Sequence, residues 1–572
     1  MSRSRESDLE SVCLSDLPES IDLPVQRASS RRTSSTQLSL SLEPELLRGA
    51  PLDVALSGWC KHWHPAAKAS SLASAHMLSQ KVDSIDVFLS HDWETSHWTK
   101  LLTLLMVFNS RASFIACLLV SVLTCILRIT QVLPDELWTA CFGHIAFLVV
   151  LCFWQRIRRF SCRQQVVFLD RLCIDQSDPE VKQKGILGLG AFVLKSKKML
   201  VLWSPRYFTR LWCTYEIGCF LSLSRRIHDI EILPVKVALI LYLTAALWHA
   251  LMIAYYLLIS ANPEGFDSTY LAGLLIPVVA MCLLSSMLLP MVNYLGMSMM
   301  QEVNELPRQL QTFQVREAKC FCCSNNHHHP QTGAELICDR ELVYEGLKDL
   351  YSAKPGADCL EEFNTRVQER LGPKVFSRMG TSFPVQYGIY VVLASNLPFI
   401  GHFIVRVQKG LDPMDPMDGF DQSVWILRET LRWVQPFLSM LFSQRFAEWA
   451  WKLFNFRSSL CLSICISPAI SLAVASTWIS MEAVLWLTPK NSVLPVLPFF
   501  AVLLLDLYLY MDVFKSITWR QTSKPASARE TQRSNDAGDA SVAVDMLNSA
   551  SPTAWDKWEV EEDGDTLVTW KF

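Results

Sequence analysis

The sequence predicts a doubly wound parallel α/β sheet interrupted by transmembrane helical hairpins, followed by a C-terminal α-helical membrane region. Three observations predict it. Apolar runs of about 20 residues recur in pairs, each long enough to cross roughly 30 Å of hydrocarbon. Around the first two pairs, short runs of β-formers alternate with helical periodicity. Basic residues gather on one side of each pair, which the positive-inside rule places in the cytosol. Composition agrees: 51% of the 572 residues are hydrophobic and 19% charged, too apolar for an ordinary soluble domain. The net charge of -3, with Arg and Lys at the edges of apolar runs, leaves no nucleic-acid footprint.

In chain order, residues 1–82 are rich in Ser and Arg and read as a disordered region and linker. The first twenty residues hold no apolar core for a cleaved signal, so the N-terminus is expected in the cytosol. There the eighteen cysteines stay reduced. RASSRRTSS puts Ser29 and Ser34 downstream of Arg, where phosphorylation would invert the local charge; the bland reading is a solvated run.

IDVFLSH (85–91) is the first strand, and SHWTKLLTLLMVFN the helix after it. A hairpin at about 112–156 follows, then QVVFLD (165–170) as second strand. Ser177-Asp178-Pro179 opens a helix through KQKGILGLGAFVLKS, before KMLVLW (198–203) as third strand. After the turn SPRYFTR come the helix LWCTYEIGCFLSL and the fourth strand IEILPVKV (230–237). A second hairpin at about 235–297 leaves and re-enters at nearby points, so insertion does not separate the strands. A last strand near 313–315 and a helix from Arg340 complete a cytosolic domain spanning 83–352.

A linker helix (353–383) leads to membrane helices over 384–514 and a flexible cytosolic tail (515–572), basic at its start and acidic from Ser534 to Glu562. The segment 423–442 is long enough to span but carries Arg428, Glu429 and Arg432, each costing roughly 2.5–3.5 kcal/mol at a helix centre. They face a bundle interior, a polar cavity or an interface. About eight crossings keep the basic C-terminal flank inside, with a re-entrant loop broken at Pro398 as the competitor.

DVFLSH, VVFLD, a helix ending in KS, KMLVLWSPRY and RLWCTYEIGCF, in that order, resemble the Toll/interleukin-1 receptor (TIR) domain family. The WCxxE run followed by ILPV is most similar to the plant disease-resistance type. The resemblance covers 85–237, with a weaker continuation to about 352. It departs in its inserted hairpins, in SHDW after the first strand and in a longer loop after Asp170. Some TIR domains cleave the nicotinamide–ribose bond of NAD with the Glu of WCxxE; by position that is Glu216. The resemblance implies NAD as substrate, Glu216 as catalytic residue, and Trp212, Ser204, His91 and Asp92 around the ligand. Ser204 ends the third strand, on the side where open α/β sheets bind ligands. Many TIR domains only assemble with one another, so self-association is the other expectation. Glu216 is then a helix-surface carboxylate and Trp212 a packing residue. A transporter or channel regulated by the domain is a third reading.

KCFCCSNNHHHPQTGAELICDR crowds thiols and imidazoles, the ligands of tetrahedral zinc. Cys320, Cys322, Cys323, His327, His329 and Cys338 are the candidates, with His328 beside them. The irregular Cys-x-Cys-Cys start leaves free thiols and a polar His loop as the competing reading. Cys60, His62 and His64 in WCKHWHP read as a linker with aromatic contacts.

Overall fold

The structure, a computed structural model, describes residues 40, 42–64, 74–161, 163–222, 224–261, 270–328, 330, 333, 335–351, 358–373, 383–411, 418–454 and 458–522. Ser29, Ser34, His329 and the acidic tail lie outside them. Met1–Phe514 form one compact unit and Lys515–Phe572 another.

The first unit is mostly helical, around one mixed sheet. Its strands are β1 (Arg48–Pro51), β2 (Gln80–Lys81), β3 (Ile85–His91), β4 (Val166–Phe168), β5 (Ser196–Trp203) and β6 (Ile230–Pro234), in spatial order β2-β1-β4-β3-β5-β6. β4, β3, β5 and β6 run parallel, whereas β1 pairs antiparallel with β2 and β4. β3 is buried almost throughout, the pattern of a strand covered on both faces. Phe88 of β3 stacks on Phe168 of β4, which meets Phe192, with ring centroids 4.6 Å apart in both pairs. From β3 the chain moves outward to β4, then returns past β3 to β5 and on to β6. Successive connections therefore diverge between β3 and β5, the point beside whose carboxyl ends open α/β sheets bind ligands.

Several expectations change. Residues 48–51 and 80–81, expected to be linker, are strands, and Trp63 is buried with its indole donating to Ala55 O at 2.9 Å. The domain therefore begins well before 83. The strand expected near 313–315 is absent: Val315–Glu317 is a 3-10 turn, and the Val315 amide donates to Asn364 Oδ1 (2.9 Å) rather than to a ladder. The helix expected through 182–196 is two, Pro179–Leu187 and Leu189–Leu194, meeting at Gly188, and Ser196 already belongs to β5.

Among the described residues, five helices are long and apolar enough to cross a membrane, or six if the bent pair Tyr387–Leu393 and Leu397–Gly410 counts as one span. The sequence-based expectation is about eight crossings. Gly419–Leu453 carries too many charges, and the apolar stretch Val496–Tyr510 is short. The bent pair turns by 41° around Pro398, where the sequence suggested a break. The first span is not separate from the domain's first helix: His97–Ile129 is one helix of 33 residues, since no Gly or Pro interrupts it. Likewise Val235–Ala261 starts directly after β6.

Arg428 and Glu429 are buried, Arg432 is partly buried, and all three are paired. Arg432 Nε donates to Glu482 Oε1 (2.8 Å) and Nη2 to Oε2 (2.5 Å), with Tyr255 and Trp486 donating to the same carboxylate at 2.9 and 3.1 Å. Glu429 meets Arg406 at 2.9 Å. Arg428 donates to Leu485 O, Thr488 Oγ1 and Ser492 O, each at 2.9 Å, closing the carbonyl end of helix Leu460–Leu487.

Candidate functional site

Glu216 lies on helix Leu211–Ser222, which packs beside the carboxyl edge of the sheet. The helix is pinned from behind: a Cβ on Gly218 would stand 2.7 Å from Leu347 Cδ2, and Tyr351 donates to Gly218 O at 2.7 Å. This close approach fixes the face that Glu216 presents. Its Oε2 accepts a short hydrogen bond from the Ser90 hydroxyl, near the end of β3. Ser90 Oγ in turn stands 2.5 Å from Tyr207 OH, a buried phenol from the turn after β5. With Ser90 donating to Glu216, Tyr207 donates to Ser90. Burial pushes the Glu216 carboxyl up to about 8 from an ordinary 4.5; the Ser90 hydrogen bond pulls the other way and the negative field of Asp170 adds to the rise. Glu216 is thus neither a freely solvated carboxylate nor ion-paired among the described residues.

Asp92, after β3, organises the edge. It accepts from Glu94 N (3.1 Å), Thr95 Oγ1 (3.3 Å) and Ser204 Oγ (3.3 Å), with Arg206 Nε at 3.6 Å. Glu94 holds Arg206 and Arg210 at 2.6 and 2.9 Å. Ser204 and Asp92 are therefore in contact. His91 is wedged between Trp63 and Trp93, with ring centroids 4.7 Å away on both sides. Burial, and then the charge of Lys100, hold its pKa well below the usual range, so it is neutral. Trp212 does not share a polar contact with Glu216 among the described residues. Its indole donates to Asp339 Oδ2 (3.4 Å), so four-residue spacing on a helix does not by itself join two side chains in one site.

The sequence reasoning missed Ser90, Tyr207, Trp93, Lys100 and Asp170. Trp93 Nε1 donates to Asp170 Oδ2 at 3.0 Å, and the Lys100 ammonium lies over the Trp93 and Trp63 rings at 5.4 and 5.8 Å. Burial, first among the causes, raises the Asp170 carboxyl. A signal existed: Ser90 and Asp170 are the polar residues that close two apolar strand runs. Lys100 Nζ and His91 Nε2 are buried without a hydrogen-bond partner.

A second cluster stands at the start of the same helix. Cys322, Cys323, His327 and Cys338 bring one ligand atom each within 4.8 Å of all the others, and could hold a metal ion. Cys320, Cys322 and Asp339 form an overlapping group. His329 lies outside the described residues. His328 Nδ1 is spent on Asn326 O at 2.8 Å. No family, no curated protein and no solved structure matches the chain.

Proposed function

We propose that this chain is a multi-pass membrane protein with a cytosolic, doubly wound TIR-like domain that signals by hydrolysing NAD to nicotinamide and an ADP-ribose product, with Glu216 as catalytic residue. The observation that carries the reading is the placement of Glu216: a carboxyl withdrawn from water at the carboxyl edge of parallel strands, hydrogen-bonded to Ser90 and titrating at about 8. Perturbed carboxyls in such places are functional candidates on physical grounds. Basic RIRRFSCR, SRRIHD and KSITWRQTSK favour the cytosolic side for the domain and for both termini.

In NAD the nicotinamide ring is cationic, and a cation beside Glu216 favours its ionised form. As the N-glycosidic bond breaks, its electron pair stays on the ring nitrogen, which leaves as neutral nicotinamide without a general acid. Positive charge then develops at the anomeric carbon, where the Glu216 carboxylate stabilises it. Water supplies the new carbon–oxygen bond, and Glu216 accepts its proton. The unpartnered Lys100 ammonium suits a phosphate oxygen, and the His91 Nε2 lone pair suits a ribose hydroxyl.

The reading includes self-association of the domain. Arg428, Glu429 and Arg432, which together with the span count suggest a transport path, are engaged by backbone carbonyls, by Arg406 and by Glu482, which favours the signalling reading over that alternative. The test is nicotinamide release from NAD by the full-length protein in nanodiscs. Glu216→Ala is expected to lower the rate by on the order of 1,000-fold, by analogy with removing one transition-state contact. In the wild type, kcat/KM rises with pH toward about 8 as Glu216 ionises and falls again above it as Lys100, lowered to about 8 chiefly by burial, loses its charge. An unchanged rate in Glu216→Ala leaves the non-catalytic assembly module.

A further inference from the structure

We propose that Cys322, Cys323, His327 and Cys338 bind one zinc ion, and that this ion clasps the amino end of the Glu216 helix. The sulfur spacing supports it. Cys322 Sγ to Cys323 Sγ and Cys323 Sγ to Cys338 Sγ are both 3.9 Å, and thiolates at about 2.3 Å around a tetrahedral ion stand about 3.8 Å apart. Cys320 Sγ lies only 3.0 Å from Cys322 Sγ, too close for both to occupy corners of one such tetrahedron. Cys320 is therefore outside the ligand set, and the set is three thiolates and one imidazole. Soft sulfur donors in that number select zinc over magnesium or calcium.

The backbone is shaped around the same four residues. Asn326 and His327 both adopt left-handed conformations, with φ of 52° and 59°, which Asn tolerates and which costs His roughly 1 kcal/mol. The turn they make returns His327 N to Cys322 O (2.7 Å). Leu336 N then donates to His327 O (2.8 Å), and His328 bridges Glu335, which delivers Cys338 opposite Cys322. The Asp339 amide donates to Cys322 Sγ at 3.3 Å, an outer contact that favours thiolate over thiol. A metal bond across this turn supplies what the strained backbone lacks.

The cluster is stitched to the Glu216 helix on both sides. Before it, Lys319 N donates to Thr209 O (2.7 Å), and Lys319 O accepts from Leu211 N (3.2 Å), one of the helix amides that lacks an intrahelical partner. After it, Asp339 accepts from Trp212. Zinc bound to Cys322 and Cys338 thus joins the strap over residue 211 to the anchor under residue 212. This inference rests on the cluster geometry and stands whether or not Glu216 cleaves NAD.

Metal analysis of the full-length protein, purified in reducing buffer without chelator, tests it. The expected result is one zinc per chain, retained in Cys320→Ser and His328→Ala and lost in Cys322→Ser and Cys338→Ser. Wild type that takes up no zinc when offered it, or that takes up iron or copper instead, overturns the proposal, as does loss in Cys320→Ser equal to that in Cys338→Ser. If the ligand variants do not fold, cobalt bound to wild type decides: tetrahedral d–d bands with a thiolate charge-transfer band are expected, and a pale octahedral spectrum refutes the site. Chelation is expected to speed hydrogen exchange at the Leu211 and Trp212 amides at least tenfold; unchanged exchange refutes the clasp.

Discussion

Glu216 at the sheet edge and Glu482 among the apolar helices are both withdrawn from water, yet they are held in opposite ways. Glu482 receives the forked guanidinium of Arg432 together with Tyr255 and Trp486, so both partners keep their charge and every lone pair is engaged. Glu216 receives the hydroxyl of Ser90 and no cation among the described residues. A carboxylate with a guanidinium partner is fixed in one state; one with a hydroxyl partner titrates within reach of neutrality. The difference separates a group that holds helices together from a group that can trade a proton.

The pair among the helices is the more expensive to break. Glu482→Gln leaves the Arg432 charge with only the more distant Glu429, at 3.9 Å, and is expected to destabilise the protein by ~3 kcal/mol, whereas Arg432→Met with Glu482→Met recovers most of the loss. Thermal melts of the three proteins in detergent check this, and equal melts for wild type and the single variant would erase the contrast.

Replacing Glu216 by Gln has the opposite sign. Unfolded, this Glu ionises near 4.5; folded, near 8. The stability contributed by its protonated form is fully present below 4.5 and is lost as pH rises to 8. Gln keeps the neutral form at all pH values, so the variant gains nothing at pH 4 and is expected to gain on the order of 2 kcal/mol above pH 8, allowing for partial exposure. Denaturant melts at both pH values read it out; a gain that is constant with pH contradicts a titrating Glu216.

The smallest expected effect is that of Ser90→Ala. Ser90 donates to the carboxylate and lowers its pKa, so its loss moves the midpoint of the pH profile upward by on the order of one pH unit. A midpoint that stays in place shows that the hydroxyl does not set the titration.

Much of this arrangement was legible in the residue order. The four parallel strands announce themselves as apolar runs closed by polar residues, and Glu216 by its place after Trp212-Cys213. The partners were not legible. Ser90 lies 126 positions from Glu216, and Glu482 lies 50 from Arg432, distances over which periodicity carries no information. β1 and β2, of four and two residues, are too short to show alternation, and their pairing with neighbours, not their composition, makes them strands. Trp212 shows the converse error: spacing on a helix was right, yet Asp339, brought in from 127 positions away, claims the indole.

The 33-residue helix His97–Ile129 passes from the sheet into the apolar bundle without a joint, and Val235–Ala261 does so from β6. A rod of that length measures about 50 Å, so a tilt of about 5° moves one end by about 4 Å relative to the other. Lipid leaflets of differing thickness are accommodated by tilting such rods. Only Asp92–Ser96 separate the longer rod from β3, so a tilt of its apolar end reaches the strand that carries Ser90 through five residues.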